Sequence, residues 1–337
     1  MIVGFTFNSK KQKVKETSED FYAECDEPET INALKNAIES GGHRVVMIEA
    51  DETAYEKLRK KKFDIVFNIA EGIHGESRES QIPLFCEMFG IPYTGSGPLT
   101  LAITLDKAKT KEILLANKIP TPDFQLFNTG SEPLKAGLKF PLIVKPVREG
   151  SSKGIKDNSV VRSKKELYER VNEVIRAYKQ PALVEEFLTG REFTVAIIGN
   201  ENPKALPIVE VLFDDLPNGA NKIDSYEAKW VWDDPKNPLD CLVCPAKLDR
   251  RLEASIRKVS LDAYTALNCR DWSRLDLRLD DNGIPNILEI NALPGMIPDP
   301  KCNSRFPRAA RAAGMSYNEV VLTVLNSALG RFKLNQR

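Results

Sequence analysis

The chain has 337 residues, with 48 basic and 48 acidic side chains and a formal net charge of zero, so its overall charge favours neither nucleic acid nor an anionic membrane as a partner. That length exceeds what one hydrophobic core usually fills and points to two or three packed units, while six scattered cysteines are too sparse for a disulfide scaffold. No run approaches the roughly 20 apolar residues that span a bilayer, and the first residues lack the pattern of a secretory leader, so a cytoplasmic protein is expected.

In chain order, Ile2 to Phe7 reads as a strand, followed by a polar stretch to Asp26 with no clear period. Pro28 opens a helix through Ile31, Leu34 and Ile38 that Gly41 and Gly42 close. Arg44 to Ile48 is a strand, Thr53 to Lys61 a helix and Phe63 to Ile69 a strand. Such alternation predicts a parallel sheet covered on both faces. Ligands of such sheets sit beyond the carboxyl ends of the strands, which here means Glu71, Gly72 and the loop to Arg78. A helix from Glu79 to Phe89, a turn-rich stretch from Ile91 to Pro98 and a helix from Leu105 to Asn117 come next. The corner Ile119-Pro120-Thr121-Pro122 marks an internal boundary.

The strand Phe140 to Lys145 ends on a lysine and runs into Arg148-Glu149-Gly150-Ser151-Ser152-Lys153-Gly154. Backbone amides and hydroxyls of such a loop, flanked by cations, can wrap phosphate oxygens. Its spacing is not that of a P-loop, and no G-x-G-x-x-G follows the first strand, which disfavours a P-loop NTPase and a dinucleotide dehydrogenase. Then come a helix from Lys164 to Ala177, a strand from Ala182 to Phe187 carrying Glu185, and paired strands at Arg191 to Ile198 and Ala205 to Phe213. Leu216 to Asp240 is long and polar, yet its centre, Tyr226-Glu227-Ala228-Lys229-Trp230, is too rich in specific side chains for a linker. Cys241 and Cys244 sit in a strand-like run and lack the second ligand pair of a zinc site. Helices from Leu248 to Leu267 and from Ser316 to Leu329 bracket the most informative stretch.

That stretch is Asp271 to Met296. Arg274, Asp276 and Arg278 alternate with Leu275, Leu277 and Leu279, the turn Asp280-Asp281-Asn282-Gly283 reverses the chain, and Ile287 to Asn291 returns antiparallel. The period of two puts Glu289 and Asn291 on one face, beside Asp276. Two carboxylates and an amide oxygen suit a hard cation such as Mg²⁺ rather than zinc. A lone hairpin of this kind is more often a solvated polar face; Asn291-Ala292-Leu293-Pro294-Gly295-Met296 adds the backbone amides that a close-fitting site needs.

Together these pieces resemble the ATP-grasp superfamily, and within it the D-alanine:D-alanine ligase group. The resemblance rests on Gly75-Glu76 with Gln81, Pro92-Tyr93-Thr94-Gly95-Ser96, Asp106-Lys107 and Lys145-Pro146 with Arg148 to Ser152. It continues through Glu185, Phe193-Thr194-Val195, Tyr226-Glu227-Ala228-Lys229, Arg274 with Asp276, Glu289-Ile290-Asn291 and Pro294-Gly295-Met296. It implies a mixed α/β and α+β ATP-grasp fold: an N-terminal Rossmann-like domain over residues 1–100, a small central lobe over 101–190 and a C-terminal ATP-grasp lobe over 191–337, with ATP between the last two. It implies an ATP-dependent carboxylate–amine ligase working through an acyl phosphate, with ATP and two Mg²⁺ ions, or Mn²⁺, as cofactors. By the same resemblance Lys107, Lys145 and Ser152 face nucleotide phosphates, Glu185 the adenine amino group and Glu192 the ribose. Asp276, Glu289 and Asn291 hold the metals, Arg274 and the Gly295 N–H stabilise the oxyanion, Lys229 reaches the γ-phosphate from a closing loop, and Ser151 lies near the substrate. Small amino-acid or peptide substrates and a homodimer are implied; nucleic acid and membrane are not.

The departures cluster where amino acids bind. The family's early Glu has no clear counterpart after Phe7-Asn8-Ser9-Lys10, its His-Gly is Glu71-Gly72, and the aromatic after Tyr226-Glu227-Ala228-Lys229 is Trp230 in place of Tyr. After Met296 the family's Thr and later Ser-Leu are replaced by Ile297-Pro298-Asp299-Pro300-Lys301, leaving Lys301 or Arg305 for a carboxylate. Glu71, Tyr226, Trp230 and Lys301 are therefore the expected substrate contacts, with altered amino-acid specificity; a genuine D-alanine:D-alanine ligase and a non-catalytic ATP sensor are the alternatives.

Overall fold

The structure is a computed structural model that describes residues 1–10, 24–232 and 241–334. In the N-terminal part, β1 (Ile2–Phe7) lies between β2 (Arg44–Glu49) and β3 (Ile65–Asn68) and is parallel to both. Helix α1 (Pro28–Ser40) buries Ile31, Leu34 and Ile38 and α2 (Ala54–Lys60) buries Leu58, as their periodicity requires. A single 3₁₀ turn at Arg78–Ser80 leads into α3 (Gln81–Phe89), which Gly90 ends in the left-handed region at φ 64°.

The turn-rich stretch gives way to a helix that sequence patterning does not reveal, α4 (Pro98–Leu105). Its sequence, PLTLAITL, is apolar nearly all round, so no polar face marks a period. Its threonines are hydrogen-bonded within and beyond the helix: Thr104 donates to the Thr100 carbonyl at 2.9 Å, and Thr100 to that of Leu267 at 2.9 Å. Asp106 then caps α5 (Lys107–Ala116) by accepting from the Lys109 N–H at 3.0 Å.

The central sheet has the order β4-β7-β5-β6, all antiparallel, from β4 (Phe124–Phe127), β5 (Leu142–Pro146), β6 (Val160–Val161) and β7 (Ala182–Glu186). Helix α6 (Lys164–Tyr178) covers one face through Leu167, Val171 and Val174. The C-terminal sheet contains β8 (Glu192–Ile198), β9 (Lys204–Ala205), β10 (Val209–Val211), β11 (Leu242–Val243), β12 (Trp272–Leu279) and β13 (Pro285–Asn291). Its order is β11-β10-β8-β12-β13, with β9 also on β8. Helix α7 (Arg250–Ala266) packs Ile256, Ala263 and Tyr264 against Leu275 and Leu277. Two further helices, α8 (Arg305–Ala312) and α9 (Tyr317–Arg331), follow the hairpin. No helix among the described residues is long and apolar enough to cross a membrane.

The N- and C-terminal parts share one core. Trp272 on β12 lies 6.0 Å from the Phe67 ring of β3 and 5.5 Å from the Phe306 ring of α8, and the same cluster takes in α1 and α9. One hydrophobic cluster therefore spans the divide near residue 100, while a second, from Ile48 to Tyr93, lies almost wholly on its N-terminal side. Asp271 ties the parts together with charge: fully buried, it accepts from the Gly95 N–H, Asn200 Nδ2 and Arg331, each at 2.8 Å. Arg331→Ala leaves that carboxylate without its cation and is expected to cost about 3 kcal/mol. Urea unfolding checks this, and an unchanged midpoint would contradict it.

Candidate functional site

The hairpin of β12 and β13 brings the three predicted oxygen donors together. Asp276 pairs with Glu289 and Arg274 with Asn291 across the strands. The Asn291 amide nitrogen lies 3.3 Å from Asp276 Oδ2 and 3.5 Å from Glu289 Oε1. The register shifts beside Leu277, so Leu288 is an extra residue on β13. Ile287 and Ile290 both stay in the core although three apart, whereas Leu288 and Glu289 both line the cleft. A strict period of two cannot place both pairs; the bulge resets the phase.

Burial pushes the Asp276 carboxyl up, but Arg274, whose Nη2 lies 2.8 Å away, and Arg305 outweigh it and hold the group well below the usual carboxylate range. Thr194 also donates to Asp276. The donor set is thus an ionised carboxylate, a second carboxylate and an amide that presents its oxygen to the same point when turned over, a set that fits a hard divalent cation.

Facing this hairpin, a cleft lies between the central and C-terminal sheets, lined by Lys145, Glu149, Ser152, Glu185, Phe187, Leu188, Glu192, Asp224, Asp276, Arg278 and Glu289. Its cations are parked on carboxylates. Lys107 donates to the Glu149 carbonyl at 2.5 Å and lies 3.6 Å from Glu289, Lys145 contacts Glu185, and Arg278 is 3.3 Å from Glu192. Lys111, not anticipated from the sequence, is fully buried and 2.9 Å from the other Glu185 oxygen. Burial pulls its ammonium down to about 8, against the attraction of Glu185. Its position one turn after Lys107, on the same face of α5, is the signal that could have found it. Glu192 is pushed up to about 7 by burial, which Arg278 opposes and Asp224 reinforces.

Segment 221–229 crosses the cleft. Ser152 Oγ donates to the Asp224 carbonyl at 2.8 Å, the Tyr226 N–H to Ile155 at 2.7 Å, and the Asn221 N–H to Asp157 at 2.7 Å. Ser151 and Ser152 adopt left-handed φ values of 49° and 60°, a strain that marks the loop as built for close approach. Lys229 follows Asp224; burial lowers its pKa against the pull of Asp224, and Arg305, Arg274 and Asp276 are its other charged neighbours. The side chain of Trp230 lies outside the described residues, as do Glu16 and Glu19, the two glutamates nearest the place of the family's early Glu.

On the other side of the Gly150 loop a cavity of about 630 Å³ is lined by Glu24, Glu71, Arg78, Arg148, Glu149 and Lys153, among others. Glu24, which the sequence did not single out, accepts from the Gly150 N–H at 2.6 Å and from Arg78 at 2.8 and 3.0 Å. It thus tethers the N-terminal part to the loop. Burial raises Glu71 well above the usual carboxylate range, and Glu24 and Glu79 add to the effect. Gly295 is exposed, and among the described residues its N–H donates to no acceptor. Lys301 departs from the expectation: it is exposed, sits on a turn where its N–H bonds Asp299 at 2.8 Å, and lines neither cavity. The buried cation of that region is Arg305, 7% exposed and 2.8 Å from Asp224.

With this geometry in hand, the likeness to known proteins is specific. The family profile described as D-ala D-ala ligase C-terminus matches residues 114–326. The D-alanine–D-alanine ligase of Carboxydothermus hydrogenoformans is 34% identical over 90% of this chain and 94% of its own length. An uncharacterized protein of Sinorhizobium fredii is 35% identical over 88% and 86%. Among solved structures, the Bacillus anthracis D-alanine–D-alanine ligase complexed with ATP superposes with a TM-score of 0.74 at 25% identity, covering 100% of this chain and 99% of that one. The VanG D-Ala:D-Ser ligase of Enterococcus faecalis, at 21% identity, 97% and 99% coverage and TM-score 0.74, shares the fold.

The charge balance around Glu192 gives a direct expectation. Its carboxyl titrates at about 7, and Arg278→Met, which removes the opposing cation, moves that midpoint higher. Carbon-13 NMR of glutamate-labelled protein reads both values; a midpoint in the ordinary carboxylate range would contradict the reading.

Proposed function

The chain belongs to the D-alanine–D-alanine ligase family of ATP-grasp, ATP-dependent carbon–nitrogen ligases, and from there we propose that it joins two small amino-acid-like substrates through an acyl phosphate, with a specificity changed from D-alanine. The observation that carries this is the cluster of charges at one cleft, Lys107, Lys145, Arg274, Asp276 and Glu289 with Asn291, beside a second cavity that holds the half-buried carboxyl of Glu71.

The cleft residues divide the work. Lys107 and Lys145 exchange their carboxylate partners for phosphate oxygens, and Glu185 and Glu192 face the base and ribose. Asp276, Glu289 and Asn291 would hold Mg²⁺ or Mn²⁺, which supplies charge neutralisation on the phosphates. The substrate carboxylate is a poor electrophile, so its oxygen attacks the terminal phosphorus of ATP, with ADP as the leaving group. Lys229 and the lysines balance the charge that spreads over the transferring phosphoryl oxygens. The amine of the second substrate then attacks the acyl carbon, phosphate departs, and Arg274 with the Gly295 N–H donates to the tetrahedral oxyanion. Segment 221–229 and the Ser151–Ser152 loop keep water from the activated acyl group.

Glu71 supports the altered specificity: a half-buried carboxylate beside Glu24 and Glu79 is relieved by a cationic group on the ligand. A homodimer and a cytoplasmic setting belong to the same proposal on family resemblance.

Phosphate release from ATP, measured across a panel of D- and L-amino acids and short peptides, tests the reading. Release that depends on an amino acid other than D-alanine, with an amide product, is expected. Robust D-alanyl-D-alanine synthesis from D-alanine alone would contradict the changed specificity. Asp276→Asn and Glu289→Gln are each expected to lower release about a hundredfold or more without unfolding the chain. Full activity in either would remove the metal assignment.

A further inference from the structure

Arg305, one of the two cations the sequence offers for a substrate carboxylate, is instead paired inside the protein, and its placement is costly. It opens α8, where the helix dipole disfavours a cation and no side chain caps the first turn. It is 7% exposed, and its Nε has no acceptor. Its ion partner is Asp224 at 2.8 Å, with Asp276 and Glu192 the next carboxylates around it. A buried cation at the positive end of a helix is retained only where a carboxylate stays with it.

Asp224 is the point from which the crossing segment hangs. Its carbonyl accepts from Ser152, its side chain holds Arg305, and Lys229 lies five residues on, where Asp224 is its largest charge partner. On the other side, Ser304 ties the start of α8 to the Gly295 turn: the Ile297 N–H donates to Ser304 Oγ at 3.2 Å, and that hydroxyl to the Gly295 carbonyl at 3.5 Å. One ion pair thus links the Ser152 loop, the Lys229 segment and the Gly295 turn.

We propose that Arg305 is a positioning residue, acting through Asp224 to latch segment 221–229 over the activated acyl group so that the amine rather than water reaches it. The proposal rests on the ligase reading above. Opening the segment breaks the buried Arg305–Asp224 pair, so the closed arrangement is favoured even before substrates bind. Loss of the latch lets water attack the acyl phosphate: the acid and phosphate are regenerated, ATP is consumed, and no amide forms.

The readout is phosphate released per amide formed, at saturating ATP and Mg²⁺, with the amino-acid pair that the wild type uses best in the panel of D- and L-amino acids. The wild type is expected near one. Arg305→Met and Asp224→Asn should each raise the ratio about threefold or more, as an opened water-excluding lid does, with Arg305→Lys in between. A merely structural Arg305 lowers both products in step, so a ratio that stays near one in folded Arg305→Met and Asp224→Asn overturns the proposal. Divergence of the two variants would also overturn it, since the latch needs both partners. Absence of any amide from the wild type would instead fail the ligase reading, and this inference with it.

Discussion

Buried charge that has to be neutralised governs this site. Lys145 and Arg278 line the cleft, Arg274, Lys107, Lys111 and Arg305 stand behind its walls, and each sits against a carboxylate that lines it: Asp276, Glu289, Glu185, Glu192 or Asp224. Taking so many ions out of water is tolerable only in pairs. On the proposed reading, pairs of this kind suit a polyanion with bound divalent cations, a ligand that would replace both halves at once, with phosphate oxygens for the lysines and metal for the carboxylates.

The fold supplies the rigidity for that exchange. The carboxylates Asp276 and Glu289 stand on a hairpin whose other face is locked against α7 by Leu275, Leu277 and Ile287. Lys145 and Glu185 stand on adjacent strands of the central sheet, whose far face is filled by α6. Two sheets, each packed on its back, present charged fronts to one another, and the Asp271 knot and the Trp272 cluster hold the N-terminal part against them. Precision comes from packing behind the site; adaptability comes from the segments across it, which are held by a handful of hydrogen bonds and by the buried Arg305–Asp224 pair rather than by a packed core.

Much of this was legible in the chain. The alternation of Arg274, Asp276 and Arg278 with three leucines is a period-two signal with a turn attached, and it places the hairpin and its face correctly. Two kinds of feature escaped. Local phase slips leave no trace in composition: Leu288 is an ordinary apolar residue until the register shows it is extra. Long-range partners are invisible too. Glu24 lies 126 residues from the Gly150 N–H it accepts, and Arg305 lies 81 residues from Asp224, so nothing in either neighbourhood distinguishes them from surface charges. Helices α4 and α8 were missed for opposite reasons, one apolar nearly all round and the other short and arginine-rich within a Pro-punctuated stretch.

A structure with Mn²⁺ and a non-hydrolysable ATP analogue is the most direct test of the cleft. Expected is anomalous density bounded by Asp276, Glu289 and Asn291, with Lys107 moved from Glu289 to a phosphate oxygen. An analogue bound with the Lys107–Glu289 pair intact and manganese elsewhere would contradict it.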